Sequence, residues 1–440
     1  MVVRIEIMRK FIVFIIVFFF SNLNATTIHD YEIELFIKNI IKDIKKANNY
    51  SNKINTNILL DDNSNAFIDH ENNLFISTGL LKYTTSYEAF IGVIAHEIGH
   101  LQNFHIAKRK DSIKKINNLN AITNLSLIAG SLIVKNDEYL MQTLLTNQVG
   151  INNYYQAFSR DQEREADFYA IETLNKLKLS PLPLVEFLNY LEKKSKTKGI
   201  KEDYYKFSSH PIYKERYGII NNKKNELNYV FDKNINKQFN FIKAKLFGFT
   251  QKENINLKNY LNDDYKTYAE SIIFSKNGKL KESLEAINFL MKKNKSNIYL
   301  LETKADILFA NGYLKESLLF YQKVLKEIPD NNYVAKRVFD IKFSNLSNES
   351  TEINELFENY SFLLIRFNQN IDLKNKFKKL SLVLKKKNWI NYFLLEEKIN
   401  SNKQTNKFIL QEMKKIKRLS ENEILNKLII QKVEGINENI

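Results

Sequence analysis

The 440-residue chain has no cysteine. That excludes disulfides, a thiolate metal site, a cysteine nucleophile and a lipid-modified N-terminal cysteine. Proline and glycine are scarce, with four and eleven residues. So few helix breakers, among abundant Asn and Lys, predict long helices with polar surfaces. The one tryptophan, Trp389, is expected in a core. The apolar stretches 11–20 and 121–134 are ten and fourteen residues long, short of the roughly twenty that span a bilayer. The second suits a buried helix, with a helix dipping into a membrane surface as the alternative. Acidic residues are outnumbered, 50 against 66 basic, for a net charge of +16. That excess favours acidic partners or peripheral contact with anionic membranes. Nucleic acid is not an expected partner, because the lysines are spread along the chain without a compact patch or a stacking motif.

The length allows two or three domains. Arg9-Lys10 precedes the apolar stretch 11–20, and Ala25 precedes a polar segment. This is the layout of a secretory signal over 1–25, with an uncleaved membrane anchor as the alternative. Without Arg4, Arg9, Lys10 and Glu6 the remainder carries +14. Residues 30–60 predict a helix carrying Ile33, Leu35, Phe36, Ile40 and Ile41, then a strand near 54–60. Two short apolar runs flank Asp69-His70-Glu71-Asn72-Asn73 as in a hairpin, with His70 at its tip. Gly79 is expected to break the second strand before the next helix.

That helix carries His96-Glu97-Ile98-Gly99-His100, which has the form H-E-x-x-H. Rings at i and i+4 stand one above the other, so both reach one cation. Glu97 is placed to act on water rather than on the metal. Only six histidines occur, and two fall at this spacing around a glutamate, which weighs against coincidence. The apolar residues 89–95 would bury the helix, which is expected to run to about Lys115. On such a helix His105, nine residues after His96, lies on the opposite face and is not a ligand. Asn103 and Ile106 stand where the metzincin pattern needs Gly and His. No acid lies near Leu119 and Asn120, so the third ligand comes from further along. In Arg160-Asp161-Gln162-Glu163-Arg164-Glu165-Ala166-Asp167, Glu163 and Asp167 share a helix face. By spacing alone Asp161, Glu163 and Glu165 are all candidates, and a charged face with local ion pairs is the competing reading.

H-E-I-G-H followed by S-R-D-Q-E-R-E-A-D resembles the gluzincins related to HtpX and the CAAX prenyl endopeptidases. Above all it is similar to the soluble, BepA-type periplasmic zinc metalloproteases. The resemblance covers about residues 30–220 and implies a zincin-type domain with a small sheet. It implies one Zn2+ per chain on His96, His100 and Glu163, with Asp167 orienting a ligand histidine and Glu97 catalytic. The Asn65-Ala66-Phe67 stretch matches the edge-strand region, where substrate backbone would add as a strand. Ser209-His210-Pro211, with Arg216 beyond, also matches. His210 would then approach the zinc as a plug, a substrate contact or an oxyanion partner; otherwise it is a loop histidine held by Pro211.

Asn277-Gly278-Lys279-Leu280-Lys281-Glu282-Ser283 recurs as Asn311-Gly312-Tyr313-Leu314-Lys315-Glu316-Ser317, 34 residues on. That is the tetratricopeptide (TPR) period, and neighbouring helix pairs of such repeats must stack to bury their faces. The expected fold is therefore mainly α (α+β). Its divisions are a metalloprotease domain over 26–225, a linker helix over 226–262, a TPR solenoid over 263–340 and degenerate repeats or a cap over 341–440. The expected function is an exported periplasmic zinc endopeptidase acting on unfolded or misassembled proteins. Its TPR arm would dock a protein partner; by resemblance that partner is the outer-membrane assembly machinery. The competing class is a TPR scaffold or chaperone with a latent, self-plugged protease domain.

Overall fold

The computed structural model describes residues 27–106, 160–197, 206–207, 210–211, 218, 228–251, 256–347, 349–400 and 406–437. The expected signal segment, the apolar stretch 121–134 and Arg216 lie outside them. Two compact units divide the chain, one ending at Ala269 and the other beginning at Glu270. Among the described residues no helix is long and apolar enough to cross a membrane.

The first unit opens with strand β1 (Thr27–Ile28) and helix α1 (Tyr31–Ala47). The Asp30 carboxylate caps α1 by accepting from the Ile33 amide at 3.0 Å. Ile33, Phe36, Ile37, Ile40, Ile41 and Ile44 follow the helical period and are all buried. Strands β2 (Asn55–Leu59), β3 (Ala66–Ile68) and β4 (Asn73–Ser77) complete a sheet of order β1-β2-β4-β3. β2 and β4 run parallel, and the other two pairs are antiparallel. Phe67 lies opposite Phe75 with the rings stacked at 4.7 Å, and the turn between β3 and β4 carries His70 as expected.

Ser77 caps helix α2 (Thr78–Tyr83) through its hydroxyl. Gly79 is inside this helix rather than a breaker ahead of it. A Cβ there would stand 2.3 Å from the Asp62 carbonyl oxygen, so glycine is required by close approach of the 61–63 loop. Helix α3 (Tyr87–Gln102) starts at the Ser86 cap and is buried on every face from Tyr87 to His100. It stops at Gln102, well short of the expected Lys115. Helices α4 (Arg160–Lys176) and α5 (Leu182–Thr197), then the short paired strands β5 (Lys206–Phe207) and β6 (His210–Pro211), follow.

Helix α6 (Lys233–Thr250) lies in the stretch expected to be a linker. It instead carries Phe239, Ile242 and Leu246 into the core of this unit. Phe36, Phe90 and Phe239, from α1, α3 and α6, stack on one another with centroids 5.7–6.2 Å apart. Three large rings meeting from three elements make α6 part of the same core, because none can be withdrawn without leaving a cavity.

Helix α7 (Asp263–Lys276) crosses the division between the units. Beyond it run α8 (Leu280–Lys293), α9 (Ile298–Ala310), α10 (Leu314–Glu327) and α11 (Asn332–Ser344). The backbone repeats what the residues repeat. Gly278 and Gly312 both take positive φ, +74° and +85°. Each ends a helix in the left-handed conformation that favours glycine. The next amides close the turn alike, Lys279 N–H to Phe274 O at 2.8 Å and Tyr313 N–H to Leu308 O at 2.9 Å. Asn297 and Asn331 cap the following helices through their side chains. The remaining helices are α12 (Ser350–Tyr360), α13 (Leu363–Arg366), α14 (Ile371–Val383), α15 (Lys387–Asn400), α16 (Asn406–Leu419) and α17 (Glu423–Asn437). Their core holds Trp389 buried, edge-on to Phe357 at 5.2 Å. The architecture is mainly helical with one small four-stranded sheet, as expected.

Candidate metal centre

The site forms where α3 meets α4. Gly99 sets their approach: a Cβ there would lie 3.2 Å from the Ala166 Cα and 3.1 Å from the Tyr169 Cβ. Small residues on both helices bring the two backbones together, so short side chains can meet across the gap. Other contacts pin the ends. The Asn48 amide, at the end of α1, donates to Thr173 Oγ1 on α4 at 2.8 Å. Val230 N–H donates to Lys178 O beyond α4, and Asp232 N–H to the Tyr87 hydroxyl on α3, both at 2.8 Å.

His96, His100 and Glu163 converge in this contact, all buried, with one ligand atom from each lying within 4.8 Å of the others. The Nε2 atoms of His96 and His100 are 3.2 Å apart. Glu163 Oε2 stands 3.4 Å from His96 Nε2, and Oε1 stands 3.6 Å from His100 Nε2. Donors bound at 2.0–2.1 Å to one tetrahedral ion stand about 3.3–3.4 Å apart. The donor set is therefore already spaced for one small cation. Two imidazole nitrogens and one carboxylate are also the donor types that catalytic zinc sites use.

The rings are oriented from behind. His96 Nδ1 lies 2.9 Å from Asp167 Oδ1, and Asp167 is fully buried. The Nδ1 proton is thereby held on the carboxylate, which leaves the Nε2 lone pair facing Glu163. Glu97 is buried on the same turn of α3. Tyr169, one turn beyond Ala166, is an apolar wall: burial pushes its phenol up to about 12, so it stays neutral near pH 7.

Of the three acids open to spacing, Glu163 enters the cluster. Asp161 has a side chain 72% exposed and pairs with Arg164 at 3.3 Å. Glu165 does something the sequence reading missed. Its Oε2 lies 2.9 Å from His105 Nε2, and His105 Nδ1 lies 3.0 Å from His100 Nδ1. On a continuing helix His105 would occupy the far face. The helix does not continue. Asn103 is its C-cap, Phe104 takes a left-handed φ of +58°, and after this turn His105, helical again, is buried with its Nδ1 beside that of His100. An asparagine after the last apolar turn is the signal that could have shown the stop. His210 stands in β6 opposite Phe207, and its side chain lies outside the described residues.

Comparison with known proteins agrees with this geometry. The profile described as peptidase family M48 matches residues 33–223. Over 184 residues the chain is 23% identical to a protein named beta-barrel assembly-enhancing protease from Yersinia pestis, covering 42% of this chain and 37% of that one. A protein of the same name from Escherichia coli (strain K12) is 22% identical over 205 residues, covering 46% and 41%. The chain thus spans about two-fifths of the length of these curated relatives. With two histidines and a glutamate gathered at one point inside the matched segment, residues 33–223 are a domain of peptidase family M48, a family of metallopeptidases.

Proposed function

We propose that the chain is a zinc-dependent endopeptidase in which His96, His100 and Glu163 hold the metal. The spacing of their donor atoms, 3.2–3.6 Å, carries this reading. When bound, zinc would act as a Lewis acid on the scissile carbonyl and make water nucleophilic near neutral pH. Asp167 keeps the His96 ring turned toward the metal by holding its Nδ1 proton. Glu97 takes the proton of the attacking water and passes it to the leaving amine. β3 is one of the two edge strands of the described sheet, so an extended segment could pair with it while a folded one could not. That geometry favours unfolded or misassembled proteins as substrates.

The 34-residue recurrence of the turns at Gly278 and Gly312 supports TPR-type repeats that dock a protein partner. The signal-like layout of 1–25 supports export to the periplasm. The relatives are named for enhancing beta-barrel assembly, which supports outer-membrane protein quality control beside an assembly machinery as the setting. For His210 the reading rests on the Ser209-His210-Pro211 pattern. His210→Ala should raise basal cleavage if the ring plugs the site and lower kcat if it binds the oxyanion. Unchanged kinetics would remove both roles.

The central test is Glu97→Gln assayed on unfolded casein. Cleavage should fall about 10²–10⁴-fold while one zinc per chain is retained. Wild-type activity should vanish with a chelator and return with zinc. Turnover by Glu97→Gln at the wild-type rate would refute the assignment.

A further inference from the structure

We propose that His105 and Glu165 form a relay that holds His100 in its metal-binding orientation, making both of them positioning residues for the metal. The inference rests on the reading of His100 as a ligand and goes beyond it. The hydrogen-bond chemistry allows one consistent arrangement. His100 must keep the Nε2 lone pair for the cation, so its proton is on Nδ1. That proton is donated to His105 Nδ1, 3.0 Å away, which must then be an acceptor. A neutral His105 accepting at Nδ1 carries its own proton on Nε2. That nitrogen is 2.9 Å from Glu165 Oε2, a carboxylate able only to accept. Each link satisfies the next, and reversing any one would put two protons or two lone pairs face to face.

The two ligand histidines are therefore served differently by one stretch of α4. Asp167 reaches His96 directly. Glu165, two residues earlier, leaves the helix on another side with its side chain 55% exposed, and reaches His100 only through His105. The cost of building this is visible in the backbone. Phe104 holds a left-handed φ of +58° and is 69% exposed, a conformation and placement that neither its bulk nor its burial favours. What that turn achieves is the return of His105 to the back of His100. A histidine needed only for packing could be replaced by any residue of similar volume; one in a relay could not.

The test titrates zinc into the metal-free full-length protein against a chromophoric chelator. His105→Leu should bind zinc about 10- to 100-fold more weakly. His105→Asn should return to within about threefold of wild type, because its Oδ1 stands where the histidine Nδ1 stood and accepts the same proton. Glu165→Leu, which removes the acceptor, should weaken zinc about three- to tenfold alone and not at all in a His105→Leu background. The visible bands of the cobalt(II)-loaded protein should shift in His105→Leu and recover in His105→Asn. Wild-type zinc affinity in a natively folded His105→Leu, or an equal effect of Glu165→Leu in both backgrounds, would overturn the relay. If His105→Leu does not fold, Glu165→Leu decides alone: it alters a half-exposed side chain, and unchanged affinity overturns the proposal. His100→Ala and Glu163→Gln separate the two readings. If they lose zinc while His105→Leu keeps it, only the relay fails. If they too bind as wild type, the ligand set falls and takes the relay with it.

Discussion

Each unit holds a buried polar cluster, and the two clusters are built differently. From Glu270 onward, the Asp306 carboxylate accepts from the Tyr321 hydroxyl at 2.6 Å and the Tyr333 hydroxyl at 2.9 Å, and Arg337 donates to the Tyr333 oxygen at 3.1 Å. Burial, then the charge of Asp306, holds both phenols well above their ordinary value, so they stay donors. In this cluster the Asp306 Oδ1 and the Tyr333 oxygen each meet a donor. At the candidate site in the first unit the arrangement differs: with each ring's proton on Nδ1, Nε2 of His96, Nε2 of His100 and the Glu163 carboxylate bring lone pairs to one place. Closed donor–acceptor networks hold a fold together. Converging acceptors need a cation or a shared proton between them, and that need distinguishes the candidate site from the closed cluster.

Core truncation should show this contrast most strongly. Phe339, stacked on Phe377 at 4.7 Å, should cost about 3–5 kcal/mol as Phe339→Ala in urea unfolding, with zinc affinity unchanged, since its ring partners include none of the ligands. Phe90→Ala should cost a similar amount and also weaken zinc, because Phe90 steadies the helix that carries His96. Equal zinc affinity in both variants would break the comparison.

Glycine sharpens it at smaller scale. Gly99→Ala should cost about 1–3 kcal/mol and weaken zinc, since the Ala166 backbone must move and α4 carries Glu163 with it. Gly312→Ala should cost about 1–2 kcal/mol through its positive φ alone, where a Cβ meets nothing within 4 Å. Calorimetry and zinc titration of the two variants check whether close approach and backbone freedom separate in this way.

Much of this was legible before any coordinates. The helix at His96 and His100, the hairpin around His70, the buried Trp389 and the small sheet in a helical chain all follow from local pattern. So does the 34-residue echo, which the structure repeats bond for bond at its turns. Less local features were not legible. Gly79 read as a breaker because nothing in sequence shows the 61–63 loop lying against it. Residues 226–262 read as a linker because their Asn and Lys content hides the few phenylalanines that α6 buries. The choice among Asp161, Glu163 and Glu165 was open on spacing, and the resemblance, not the residues, favoured Glu163.

The sequence by itself determined that two imidazoles would face one point, because i and i+4 share a helix face whatever the rest of the chain does. Only the tertiary structure decided which carboxylates answer them and that His105 stands behind His100. Those outcomes depend on where α3 stops and how closely α4 packs on Gly99, and such contacts between segments some sixty residues apart leave no period in the chain.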